Sequence, residues 1–354
     1  MTTVLAAIMV LGLLMFVHEF GHLMLAKLSG LHVEEFGLGF PPRLLTLGCH
    51  GGTEYTLNLI AFGAFVRLAE DDGFGTRLAD QRKRVRAAFL LGGPLLNLLL
   101  SVALFGICFA TGWPVAHDRA VGVDKVQPGS VGKAVGFQPN DLILAANEHE
   151  VSSVLELIVY ARSVHGDIRK VTLLRQGLIL PLTLPSGRPW FVNPETRGVV
   201  LRNDAGWVEV VPYPLPTAVR NAVSTAFSSA WSLFSLPIRI LRGKVPLDMV
   251  RPVGPVGIAQ LTGQAAQEVA ASGWWFPLLQ LTASLSAALA ATNLLPLPGF
   301  DGGRLFFVAL EALRGKQLAV ERENLVHWVG LILMILLILV VTYYDITAPY
   351  PFGR

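Results

Sequence analysis

The chain has 354 residues, 53% of them hydrophobic and only 15% charged, with a net charge of +3 and a mean hydropathy of +0.54. Soluble domains carry about 25% charged residues, so these numbers exclude a wholly soluble protein, a disordered chain and a coiled coil. The small, dispersed positive charge also excludes nucleic acid as a partner. Cys49 in a polar loop and Cys108 in an apolar run imply no disulfide framework. What remains is an α-helical polytopic membrane protein.

Four segments supply the roughly 20 apolar residues that a bilayer crossing needs. The first, residues 3–26, is apolar except for a polar cluster from His18 to His22. No charge precedes His18 and the apolar stretch is long, which argues against a cleaved signal peptide. The second, residues 87–113, is free of charge. The third, 277–298, falls within the uncharged stretch Val269–Phe300, and the fourth is 325–344.

Asn221–Pro237 is also uncharged but carries Ser224, Thr225, Ser228, Ser229, Ser232 and Ser235. It reads as an amphipathic helix on the membrane surface, with a serine-rich fifth span as the alternative. Orientation follows the basic residues. Lys27, Arg43, Arg67, Arg77, Arg82, Lys83, Arg84 and Arg86 lie between the first two spans, and Arg304, Arg314, Lys316 and Arg322 between the last two. Both loops are therefore expected in the cytoplasm. Both termini, and the segment from about Val115 to Arg251, are expected outside.

His18-Glu19-Phe20-Gly21-His22 is an HExxH pattern. Residues four apart share one helix face, so both imidazoles can reach one metal ion. Zinc held by two histidines and a carboxylate keeps a position open for water and lowers that water's pKa to about 7. Glu19 is then placed to act as general base. Ionisable groups in an apolar span cost about 2.5–3.5 kcal/mol each on insertion scales, a cost that a metal site offsets better than a lone buried histidine.

A third ligand has to come from elsewhere, and Asp301 is the other acid at helical depth. It lies in Asn293-Leu-Leu-Pro296-Leu-Pro298-Gly-Phe-Asp301-Gly-Gly-Arg304, where prolines and glycines break the third span. Such backbone is tolerated at membrane depth only when buried in protein or lining a cavity. An Asp-Gly turn capping the next helix is the alternative. With four spans, the first and third both run inward, and Asp301 reaches the depth of the histidines. With a fifth crossing it would lie on the opposite side.

At these residues the chain resembles the site-2 proteases, the intramembrane zinc metalloproteases, and within them the bacterial regulator-of-sigma-E branch with a single PDZ domain. The likeness rests on HEFGH at 18–22, Gly92-Gly93-Pro94-Leu-Leu-Asn97, Gly254-Pro255-Val256-Gly257-Ile258, and Asn293-x-x-Pro296 with Asp301-Gly302-Gly303. The resemblance implies His18, His22 and Asp301 as zinc ligands and Glu19 as catalytic base. It places Asn293 and Asn97 near the substrate, where an amide could bond a peptide carbonyl or oxyanion. Helix–helix hydrogen bonding is the other use open to Asn97.

It further implies regulated proteolysis of single-pass membrane substrates such as anti-sigma factors or remnant signal peptides, in a bacterial inner membrane, with the active site near the cytoplasmic side. Tyr55–Ile60 and Gly63–Arg67 read as short strands that could pair with an extended substrate. In the family this region forms a membrane-associated β-hairpin, and Ala64-Phe65 stands where many relatives have Gly-Tyr. Gly37-Leu-Gly-Phe-Pro-Pro reads as part of that structure or as a turn.

Residues 115–187 resemble an extracytoplasmic α+β PDZ domain. Strands are expected at 121–126, 142–146, 170–175 and 178–184, a short helix runs through Ala134, and a second helix covers 153–163. Asn140-Asp141 replaces the usual Gly-Asp. The peptide groove is expected between 121–126 and the 153–163 helix, and a steric gate is the other use. The chain thus divides into an N-terminal membrane part (1–113, with a cytoplasmic loop at 27–86), the PDZ-like domain, a linker with the surface helix (188–276), and a C-terminal membrane part (277–354). Two functional alternatives stand beside the protease: a membrane receptor or scaffold with a structural metal, and a metal-ion transporter. The second and fourth spans offer a transporter almost no ionisable groups.

Overall fold

A computed structural model describes residues 2–69, 78–117, 120–175, 177–186, 189–192, 195–204, 207–244, 252–316 and 320–347. Arg77 and Arg251, counted in the charge balance, lie outside the described residues. The chain forms two compact units, Met1–Thr111 with Tyr213–Arg354, and Gly112–Pro212.

In the first unit, helix α1 (Thr2–Leu28) carries the polar cluster and leads into a hairpin of β1 (Val33–His50) and β2 (Thr53–Leu68). Gly51 and Gly52 turn the hairpin at positive φ. The two short strands expected at 55–67 are one strand, and Gly37–Pro42 belongs to its partner rather than to a turn. Glu35 is buried in the hairpin, accepting a 2.6 Å bond from the Thr56 hydroxyl and pairing with Arg67 and Arg43. Burial pushes its carboxyl up, but these three partners outweigh that and hold it below the ordinary range. Helix α2 (Lys83–Thr111) starts four residues earlier than the expected span and so includes Arg86.

The second unit follows, with β3 (Trp113–His117), β4 (Ala120–Val126), α3 (Val131–Val135), β5 (Leu142–Ala146), β6 (His149–Glu150), α4 (Val154–Ser163), β7 (Lys170–Arg175), β8 (Leu178–Thr183), β9 (Glu195–Thr196), β10 (Val199–Asp204) and β11 (Trp207–Val211). The main sheet has the order β8-β7-β5-β4-β10-β9, with β6 on β5, while β3 pairs with β11. Its core centres on Val121, Val123, Phe137, Ile143, Leu157 and Leu173. Asn140 sits at φ 68, the left-handed geometry that asparagine tolerates.

Two features depart from the sequence reading. The sheet continues past residue 187: Trp190 and Phe191 are fully buried in its core, and β10 lies beside β4. Consequently β4 has β5 on one edge and β10 on the other, and a strand paired on both edges cannot accept a peptide. The strand beside α4 is β10, whose Asn203 side chain accepts from the Val154 amide. Among the described residues its outer edge pairs only at Val199 and Val200, with β9. The open edge expected along 121–126 is thus not found on β4, which lies inside the sheet.

The first unit resumes with α5 (Leu215–Phe234), α6 (Leu236–Leu241), α7 (Pro255–Ser272), α8 (Phe276–Leu294), α9 (Asp301–Arg314) and α10 (Val320–Thr347). Helix α5 buries Ala218, Ala222 and Ala226 and packs on α2 and α8. The adjoining stripe, Leu215, Val219, Val223, Phe227 and Trp231, is exposed. Helix α7 receives the buried carboxylate of Asp345 at its first turn, where the Gly257 amide donates to it at 2.8 Å. Gly254 and Gly257 leave the room, since a methyl at either would press on that carboxylate.

Among the described residues, three helices are long and apolar enough to cross a membrane: Thr3–Leu28, Lys83–Thr111 and Trp328–Thr347. The expected third span forms α8 but is not among them. Gln280, Thr282, Ser284, Ser286, Thr292 and Asn293 dilute its apolar character, and it packs its alanines against α2, α5 and α7.

Among the described residues, the second unit holds a buried carboxylate in an ion pair. Arg175 holds Asp141 through two bonds of 2.7 and 2.8 Å, with Asp141 fully buried. Arg175→Ala leaves that carboxylate unpaired and should cost about 3–5 kcal/mol. Urea-dependent pulse proteolysis of the full chain, followed within 112–212, measures the loss. A shift worth under about 1 kcal/mol would show that the Gln138 amide suffices to hold Asp141.

Candidate metal centre

His18 and His22 stand one turn apart on α1, with their Nε2 atoms 3.3 Å from each other. Asp301, the first residue of α9, brings Oδ2 to 3.2 Å from His18 Nε2 and 3.3 Å from His22 Nε2. Among the described residues, these three side chains form a convergent metal-capable group. Asp301 Oδ2 is buried and accepts no hydrogen bond. His22 Nδ1 lies 2.8 Å from the Phe89 carbonyl, an acceptor only, so Nδ1 carries the proton and Nε2 presents a lone pair.

Acceptors facing one another at this spacing repel unless a cation lies among them. Tetrahedral zinc, with bonds of about 2.0–2.1 Å, sets its ligands about 3.3–3.4 Å apart. The triangle therefore has the size of one face of a zinc tetrahedron, and the donor set of two imidazoles and a carboxylate suits that ion.

Glycines make this approach possible. A methyl on Gly21 would strike the Gly92 backbone, and one on Gly92 the Gly21 backbone, so α1 and α2 touch main chain to main chain. A methyl on Gly93 would stand 2.6 Å from the Nε2 of both histidines. After α8 the chain doubles back through Pro296, Pro298 and Gly299, the last at φ 94. The Gly302 and Gly303 positions press on the carbonyls of Leu294, Leu295 and Leu297, leaving no room for side chains. The broken backbone seen in the sequence thus returns Asp301 to the depth of the histidines.

Helix α9 is tied to α2 at its far end. Arg86, nearly fully buried, bonds Glu311 at 2.6 Å, and Lys83 donates to the Glu311 backbone carbonyl at 3.1 Å. Sequence reasoning used Arg86 only as a topological charge and missed this clamp. No local pattern links residues that are 225 positions apart.

Glu19 follows His18 on α1. Its carboxylate feels His22, His18 and Asp301 and lies within reach of the Val66 amide on β2. Asn97 is fully buried on α2, with Nδ2 3.2 Å from His18 Nδ1. Asn293 sits in the last turn of α8 and donates to the Leu289 carbonyl of its own helix at 2.9 Å. The structure thus brings His18, Glu19, His22, Asp301 and Asn97 together, while the Asn293 amide is committed to its own helix.

The model of peptidase family M50 matches residues 6–337. The zinc metalloprotease RasP of Oceanobacillus iheyensis is 28% identical, over 98% of this chain and 99% of its own. RasP of Geobacillus kaustophilus is 27% identical, over 97% of each.

The cavity at Gly93 offers a direct test of the centre. Gly93→Ala puts a methyl against both imidazoles and should weaken zinc binding by about tenfold or more, since overpacking costs about 1–3 kcal/mol. Gly106→Ala serves as the control, because a methyl there meets only Ala222 at 3.9 Å. Zinc retained by the two purified proteins after equilibration with a chelator decides the matter. Equal retention would mean that the imidazoles can yield to the methyl.

Proposed function

The chain belongs to peptidase family M50 and is an intramembrane zinc metalloprotease; we propose that it cuts single-pass membrane proteins within or beside their membrane segment. The observation that carries this reading is the triangle of His18 Nε2, His22 Nε2 and Asp301 Oδ2 on an apolar helix, with Glu19 beside it. These three side chains would hold zinc. Bound zinc supplies Lewis acidity, which acidifies water and polarises a carbonyl.

Glu19 then takes the proton from the attacking water and passes it to the leaving amine. In this reading Asn293 would face the substrate, its amide oxygen accepting from a peptide N–H while its NH2 end stays on the Leu289 carbonyl.

A helical peptide bond is closed to attack, so the substrate has to be held extended. The hairpin provides for this: β2 runs past α1 with Val66 next to Glu19. An unfolded stretch of substrate adding to that strand would lay its backbone along the catalytic carboxylate. Anti-sigma factors and remnant signal peptides are the substrate types that fit.

The reading takes four crossings, α1, α2, α8 and α10, in a bacterial inner membrane; three of these helices are long and apolar enough to cross. The centre then lies toward the cytoplasm, and residues 112–212 outside. That external unit is PDZ-like in its strand and helix content. It serves either to bind extended C-termini along β10 or to exclude bulky outer domains.

Glu19→Gln removes the base but keeps the three ligands. Cleavage of a reconstituted single-pass substrate should fall by about 10²–10⁴-fold, with zinc content unchanged. Proteolysis persisting in this variant would end the assignment of Glu19 as base.

A further inference from the structure

We infer that Asn97 is a positioning residue for His18: its side-chain carbonyl accepts the His18 Nδ1–H and so selects the tautomer whose Nε2 lone pair faces the centre. This rests on the zinc reading above.

His22 already shows the arrangement. Its Nδ1 is held by the Phe89 carbonyl of α2, which leaves Nε2 free to coordinate. His18 meets the same helix eight residues further on, where the Asn97 amide lies 3.2 Å from its Nδ1. The two ends of an amide are alike in shape, and which one faces a partner follows from the hydrogen bonds available.

With the NH2 end toward His18, the Nδ1 must be unprotonated. The ring proton then sits on Nε2, pointing among atoms 3.2 and 3.3 Å away where a metal belongs. That orientation also leaves Asn97 Oδ1 buried without a partner. A half-turn of the amide removes both difficulties. Oδ1 accepts from Nδ1–H, Nε2 opens to the metal, and the NH2 end turns away from His18. Ser101, one turn along the same face of α2, has a buried hydroxyl without a partner that can accept from that end.

The site is built to hold this side chain. Asn97 is 0% exposed, and Ser286 of α8 donates to its backbone carbonyl at 2.7 Å. A substrate peptide cannot touch an amide enclosed this way unless the helices part. The Asn97 position therefore speaks for orienting a ligand rather than for gripping substrate.

Zinc affinity of the full-length protein in detergent, measured by competition with a chromophoric chelator, separates these roles. Asn97→Leu matches the size without an acceptor and should bind zinc about 10–100-fold more weakly. Asn97→Asp restores an acceptor oxygen and should return affinity to the wild-type level or above. Cobalt-loaded Asn97→Asp should also keep the wild-type visible absorption. If Asn97→Leu does not fold, Asn97→Ala replaces it in the same comparison, with the same expected loss. Unchanged affinity in the acceptor-free variant, or an Asn97→Asp protein as weak as it, overturns the inference. Wild-type protein that binds no zinc would instead bring down the metalloprotease reading itself.

Discussion

Three acceptor atoms crowded within 3.3 Å of one another on the buried side of an apolar helix form the constraint on which the membrane unit depends. Alone, such a cluster is costly, because each lone pair has lost water and gained a repulsive neighbour. Around a divalent cation the same crowding becomes coordination. Helix α1 supplies two of the atoms through a four-residue spacing that any helix provides. The third comes from 279 positions further on and needs a reversal of the chain after α8. That reversal explains why two prolines and three glycines interrupt an otherwise helical stretch.

Lipid offers no hydrophobic force to press helices together, so close approach has to come from small residues and from polar contacts. The unit uses both in the same places. Gly21 meets Gly92 where the histidines need α2 behind them, and Gly93 clears the space in front of both Nε2 atoms. Gly254 and Gly257 admit the Asp345 carboxylate to the start of α7. The alanine stripe of α5 fits α2 and α8 in the same manner. Arg86 and Glu311 then fix the far end of α9, whose first residue is Asp301. Burying that pair is affordable because its bond is short and Lys83 adds a second donor on the same turn.

Sequence sufficed wherever the information was local or one-dimensional. The His18–His22 spacing needs only a helix, and Asp301 stands out as the acid that ends a long uncharged stretch. Contacts between distant positions were out of reach: Arg86 with Glu311, Asn97 with His18, Gly257 with Asp345. Residues 188–212 read as a linker, yet Trp190, Phe191 and β10 complete the second unit. A groove along 121–126 needs an open strand edge, whereas sheet order puts β4 between β5 and β10. Helix α8 is the reverse case. Its polar residues weaken its hydropathy because it packs mainly on protein.

The two sides of α1 differ in a way that bears on how a substrate enters. Toward α2, the imidazole Nδ1 atoms meet Phe89 and Asn97, both inside the bundle. Toward β2, Glu19 meets the backbone of Val66 on a two-stranded sheet. A two-stranded sheet keeps unpaired backbone groups along its outer edges, and an extended peptide satisfies such groups without needing a particular side chain. The first side holds the two imidazole rings through these contacts. On the proposed function, the second would accept chains of differing sequence, provided that they unfold locally. On the proposed function, entry from the β2 side would bring a peptide to Glu19 without disturbing His18, His22 or Asp301.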